Sequence, residues 1–195
     1  RPSKCVGAAE RTRREGTATC WRAQEGGFPS PRLRRRVMPT RRHVQALIHA
    51  WSASGGIRPG ATVAEIETFE SRYGVRLPPD FRAYLLAVNG MHPNQTDRHC
   101  TNFWGLDRIQ PAAAYYPSAK HPFSDVEAAR YFIFCDILID AFWYAIRLSS
   151  EPDVPSPVCM WADGGVKIVA RSFTEFTEEY VGDPGVLLME FPPRP

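Results

Sequence analysis

The chain has 195 residues, 44% hydrophobic and 23% charged, a globular composition that supports one full-sized core and excludes a fibrous or wholly disordered protein. No apolar run approaches the ~20 residues that span a bilayer and no signal-like stretch follows the basic start, so no membrane is expected as partner and the expected compartment is the cytoplasm. The net charge of +3 hides a division: residues 1–37 hold ten Lys and Arg against three Asp and Glu, whereas residues 38–195 hold fourteen against eighteen, a balance of −4, so the part able to fold is mildly acidic and no nucleic acid is expected on it.

Residues 1–37 read as a basic extension. Arg1, Arg11, Arg13, Arg14 and then Arg32, Arg34, Arg35 and Arg36 surround Gly26-Gly27, Pro29 and Pro31 with few aliphatic residues. Such a segment buries too little apolar surface to offset the entropy of ordering it, and is expected to be a disordered arm outside the native fold. The chain begins with Arg; Met38, followed by Pro39-Thr40, is the expected start of a single domain over residues 38–195.

From Thr40 the pattern is helical. Val44, Leu47, Ile48 and Trp51 fall at i, i+3, i+4, i+7 before Gly55-Gly56. Thr62 and Glu65 form a capping box for a second helix with an apolar face of Val63, Ile66, Phe69 and Tyr73, stopped at Gly74. Pro78-Pro79-Asp80 opens a third, with Phe81, Tyr84, Leu85 and Val88 on one face and Asn89-Gly90 as its stop. The period then changes. Residues 92–102 read as a polar loop, residues 103–106 as a short strand and residues 109–116 as a weak helix. Residues 131–135 are apolar at every position, as in a central strand. Phe142, Tyr144, Ile146 and Leu148 alternate with Trp143, Ala145 and Arg147, the period of a sheet with one dry face. Residues 158–161 and 166–170 flank Asp163-Gly164-Gly165 as a hairpin, and Ser172 with Glu175 caps a last helix burying Phe173, Phe176 and Tyr180. N-terminal helices, an antiparallel-rich mixed sheet and a C-terminal helix make an α+β domain.

The stretch Ile66-Glu-Thr-Phe69-Glu70 with Tyr73-Gly74, the block Leu77-Pro78-Pro79-Asp80-Phe81-Arg82-Ala83-Tyr84-Leu85, Asn89-Gly90, Phe103-Trp104-Gly105-Leu106 and the terminal Ser172-Phe173-Thr-Glu-Phe176 occur in order. Over residues 43–185 the sequence resembles the SUKH superfamily, the Smi/Knr domain. The resemblance implies an α+β protein-binding domain without catalytic activity, most often a bacterial immunity protein that neutralises a cognate toxin. Fungal relatives act as regulatory interaction proteins of the cell wall, which is the alternative function. The basic extension and the loop from His92 to Thr101 depart from the pattern.

Read as chemistry, the sequence offers little for an enzyme. It contains no phosphate-cradling Gly-rich loop, no nucleophile elbow and no His-Glu-x-x-His. His92, Asp97, His99 and Cys100 lack a second ligand pair to complete a zinc site, so neither metal nor cofactor is expected. Five cysteines without a Cys-x-x-Cys pair read as reduced thiols, and Cys135 and Cys159 sit in apolar runs where a thiol acts as a small hydrophobe. A small hydrolase using Asp136 and Asp140 is the least favoured reading. The binding candidates are Trp104, Trp143 and Trp161 beside Asp136, Asp140 and Asp163. If helices leave the second sheet face bare, Trp143 is an exposed aromatic anchor rimmed by carboxylates, suited to a basic toxin such as a nuclease. If both faces are covered, Trp143 belongs to the core. Neither the toxin nor an oligomeric state is given by the sequence.

Overall fold

Helices come first, strands follow, and helices close the chain. The computed structural model describes residues 40–52, 56–115, 125–138, 141–151, 154–162 and 165–188, all belonging to one unit, Val37–Pro195. The elements are α1 (Thr40–Ser52), β1 (Ile57–Pro59), α2 (Val63–Tyr73), α3 (Pro79–Ala87), β2 (Val88–Met91), β3 (Thr101–Phe103), β4 (Gln110–Pro111), α4 (Ala112–Tyr115) and α5 (Asp125–Ala128). They continue with β5 (Tyr131–Ile137), β6 (Phe142–Arg147), β7 (Val158–Ala162), β8 (Gly165–Ala170), α6 (Phe173–Gly182) and α7 (Gly185–Leu188). Among the described residues the strands form a β1-β2 ribbon and a six-stranded sheet of order β3-β5-β6-β7-β8, with β4 also on β5. Every pairing is antiparallel. The fold is α+β, and no described helix is long and apolar enough to cross a membrane.

The helices hold because they bury aromatic stripes. Nine residues are too few for α3 to stand alone in water. Burial of Phe81, Tyr84 and Leu85, at roughly 1.5–3 kcal/mol for a large apolar side chain, outweighs propensity differences of tenths. Phe81 and Phe173 both reach Phe134 of β5, each at 5.6 Å between ring centroids, and Phe176 reaches Tyr144 of β6 at 4.9 Å. Tyr180 and Phe103 meet edge to face at 5.0 Å. The helices α3 and α6 thus cover one face of the sheet. Their N-termini are joined by one carboxylate, since Asp80 accepts from the Phe81 amide at 2.9 Å and from the Thr174 amide and hydroxyl at 2.8 and 3.0 Å. That gives the Leu-Pro-x-Asp-Phe block a structural role. In the middle of α6, His43 of α1 pairs with Glu178 at 3.0 Å.

Several sequence expectations change. The Thr62/Glu65 box and the left-handed Gly74 cap are present, but Val63 is half-exposed instead of facing the core. Asn89-Gly90 does not end α3; the chain passes from Ala87 straight into β2, so Val88 is buried on a strand. Gly90 has φ 66°, and a Cβ there would stand 2.5 Å from the Trp104 carbonyl, a backbone approach open only to glycine. The strand expected at residues 103–106 ends at Phe103. At α6 the Ser172 hydroxyl accepts from the Glu175 amide, whereas the Glu175 carboxylate accepts from the Arg171 amide, so the box is completed one residue early. The loop at residues 92–100 is anchored, because buried Asp97 accepts from the amides of His99 and Thr101 and from the Tyr180 hydroxyl.

Candidate functional site

The strand register explains where the expected binding residues lie. Asn102 of β3 pairs with Asp136 of β5, Asp136 with Trp143 of β6, and Trp143 with Trp161 of β7. Directly paired residues share a face of a sheet, so these four form one row across the face turned away from α3 and α6. That face is covered too. Tyr115 of α4 stands 5.3 Å from the Trp104 ring and 6.3 Å from that of Trp143, and Trp143 and Trp161 meet at 5.5 Å. Trp143 is 5% exposed, Trp161 4%, Trp104 1% and Asp136 5%. Of the two alternatives left open for Trp143, the structure has the buried one, a core residue instead of an exposed anchor: the alternation along β6 marks two apolar faces of different covering, not one dry and one wet. Asp140 and Asp163 fall outside the described residues.

Asp136 is buried because it is satisfied. Its Oδ2 accepts from the Trp104 indole Nε1–H at 2.5 Å and lies 3.4 Å from Nη1 of Arg108. The Arg108 guanidinium also donates to Asn102 Oδ1 at 3.0 Å and lies with its carbon 3.9 Å from the centre of the Trp104 ring. A cation held over an indole face and against a carboxylate is doubly stabilised. Arg108 is thereby the outer wall of the Trp104 site and the inner wall of a surface cleft.

That cleft has a volume of about 390 Å³ and lies between α2, the β1-β2 ribbon and the turn at residues 104–110. Arg58, Arg72, Tyr73, Trp104, Arg108 and Gln110 are among its walls. Arg58 Nη1 donates to Asp107 Oδ1 at 2.6 Å. The Arg58 guanidinium rests against Gly105, where a Cβ would stand 1.9 Å from Nη1, so the missing side chain makes room for the arginine. Asn89 Oδ1 accepts from the Leu106 amide at 2.6 Å and holds the turn. A second cleft of about 340 Å³ continues from the first through Arg58, Arg72, Tyr73, Asp107 and Ile109, adding Phe69 and Leu106. None of these three arginines stood out in the sequence: they come from β1, α2 and the turn, with no local spacing to link them. Gly105 beside Trp104 was the one available sign of a close approach.

The other expected chemical groups are engaged structurally. Burial pushes the Cys135 thiol well above its ordinary range, with the Asp136 and Asp97 carboxylates adding to the effect. Burial likewise raises Cys159. Neither is poised as a thiolate nucleophile. Among the described residues no three His, Cys, Asp or Glu side chains converge on a metal position.

An antiparallel sheet with helices on one face, closed on its other face by an aromatic row, and bearing a cationic cleft at its edge defines an α+β domain. The model of the SMI1 / KNR4 family (SUKH-1) matches residues 60–179, from the start of α2's approach to the body of α6. The chain belongs to that family. No curated protein matches it.

Proposed function

We propose that this protein is a non-catalytic binding domain that acts as an immunity protein, occupying and neutralising a cognate protein toxin in the cytoplasm. The observation that carries this reading is membership of the SUKH-1 family over residues 60–179, together with side-chain chemistry committed to packing. The carboxylate Asp136 is held by Trp104 and Arg108, and the thiols Cys135 and Cys159 are buried and protonated. The balance of −4 over residues 38–195 favours a basic toxin such as a nuclease, since an acidic inhibitor meets a nucleic-acid groove faster than a neutral one.

The test is to look for a toxin-bearing protein encoded by a neighbouring gene and to co-express the two. Restored growth and an equimolar complex on size-exclusion chromatography are expected. Growth arrest unchanged by the protein, with no complex formed, sinks the immunity reading and leaves a regulatory scaffold.

A further inference from the structure

The larger cleft runs against the charge of the surface around it. Its walls carry three guanidinium groups, Arg58, Arg72 and Arg108, and one carboxylate, Asp107, inside a folded part whose overall balance is −4. The three cations differ in commitment. Arg108 faces Asp136 and Asn102 and is fixed over Trp104. Arg58 is paired with Asp107, whose side chain is 66% exposed, so that carboxylate can swing into solvent and leave Arg58 to another. Arg72 is exposed, lies with its guanidinium carbon 5.1 Å from the Tyr73 ring centre, and meets no carboxylate at ion-pairing distance among the described residues. A planar guanidinium fork presented by a stacked ring is suited to a carboxylate.

The charge count favours a monoanion. Arg58 is matched by Asp107 and Arg108 by Asp136 behind it, so of the three guanidinium groups that of Arg72 is left over: one added carboxylate neutralises it, whereas a phosphate dianion would have to compete with Asp107 or Asp136. The adjoining cleft adds Phe69 and Leu106 beside Ile109, and also Glu65, whose carboxylate is engaged by the Thr62 amide and hydroxyl in the α2 capping box; its apolar floor is one that a free inorganic anion would not use and a neighbouring apolar side chain would.

We propose that this double cleft recognises an acidic stretch of polypeptide, with one carboxylate among Arg58, Arg72 and Arg108 and the next side chain, an apolar one, on Phe69, Leu106 and Ile109. The proposal rests on the reading of the protein as a binding domain and names the chemistry of the segment it receives.

The probes are the blocked dipeptides N-acetyl-Glu-Phe-amide and N-acetyl-Gln-Phe-amide, titrated into the isotopically labelled full chain and followed by NMR, with inorganic phosphate as a third arm. The acidic dipeptide is expected to give saturable shifts at the Trp104 indole N–H, the guanidinium Nε–H groups of Arg72 and Arg108 and the amides of residues 104–109. The amide dipeptide should bind at least tenfold more weakly. Arg72→Gln should weaken the acidic dipeptide by about tenfold, while Arg130→Gln, outside both clefts, leaves it unchanged. No saturable shift, equal binding of the two dipeptides, or insensitivity to Arg72→Gln overturns the proposal. Saturation by phosphate at the same concentration as the acidic dipeptide overturns it in favour of a simple anion site. Protection from the toxin by the unmodified chain with no dipeptide binding to it would sink the cleft assignment and leave immunity standing; dipeptide binding by the unmodified chain without protection would do the reverse.

Discussion

The indole Nε1–H of Trp104 donates to Oδ2 of Asp136 across 2.5 Å, tying the turn after β3 to the interior of β5. The bond makes Asp136 a structural anion: one oxygen serves both the indole and Arg108.

Removing that anion leaves the buried Trp104 indole donor orphaned, while Arg108, over a third exposed, can turn to water. Asp136→Ala is expected to cost about 1–3 kcal/mol, the penalty of a buried donor left unmade. Asp136→Asn, which keeps an acceptor oxygen, should cost less. Urea denaturation of the two variants decides it, and equal losses would show that the carboxylate charge is immaterial.

Trp143→Ala empties a site walled by Tyr115 and Trp161. A loss of about 3–5 kcal/mol is expected for an emptied aromatic site, read as a large fall in melting temperature in calorimetry. A variant as stable as the parent would mean that this face is open enough for Trp143 to be a contact residue after all.

Asp80 and Thr174 should be energetically coupled, because one carboxylate oxygen accepts two bonds from Thr174. Asp80→Ala is expected to cost about 1–3 kcal/mol, the desolvation penalty of donors left unmade. In a double-mutant cycle with Thr174→Ala a coupling above about 0.5 kcal/mol should appear; strict additivity would refute the bridge.

Two glycine substitutions should behave differently. Gly90→Ala puts a Cβ against the backbone of Trp104 at a left-handed φ, where nothing flexible can yield, and should destabilise by at least 1 kcal/mol. Gly105→Ala meets the Arg58 side chain, which can move. Its stability should change little, while the cleft loses the Arg58–Asp107 pair. Thermal melts of both, with NMR of the Arg58 Nε–H for the second, separate the cases.

Stability should fall in alkali. Burial raises the phenols of Tyr84, Tyr144 and Tyr180 above their ordinary 10.0, the last helped by the Asp97 carboxylate, and pushes Tyr131 up to about 12. The thiols Cys135 and Cys159 are raised above 9.0 in the same way. Below about pH 8 both states keep these protons and the groups contribute no slope. Above it the unfolded chain ionises, thiols first and phenols next, while the folded one does not, so stability is lost as pH rises from about 8 through 12. Urea midpoints at pH 8, 9, 10 and 11 should fall in order, with tyrosinate absorbance of the buried phenols appearing together with unfolding.

The helices and the hairpin were legible because their signals are local. Thr62, Glu65 and Gly74 specify the ends of α2 within one turn of themselves, and the stripe Phe81, Tyr84, Leu85 marks the face of α3. What escaped was set by distant partners. Asn89-Gly90 has the chemistry of a helix stop, but pairing of Ile57 with Met91 and of Pro59 with Val88 draws that stretch into a ribbon. Trp143 alternates as if half-exposed because periodicity reports that two faces differ, not what lies on them. Arg58, Arg72 and Arg108 meet only through tertiary structure, and in a chain whose 24 Lys and Arg include so many arginines no single one announces itself.

One edge of β5 is shared by two strands end to end: β3 pairs along Cys135–Ile137 and β4 along Phe132 and Ile133. The turn carrying Gly105, Asp107 and Arg108 leaves that edge and returns to it, with Trp104 still donating its amide to the Phe134 carbonyl at 2.8 Å. Its two ends are therefore fixed about as far apart as neighbouring residues of a single strand, and the Asn89 side chain pins its crown. A mould held in this way cannot gape or close without unzipping a central strand. The backbone of the turn does not adapt to what enters, so the ordering cost on the protein's side is confined to side chains such as Arg58, Asp107 and Arg72, and selectivity falls to the fit of the incoming segment.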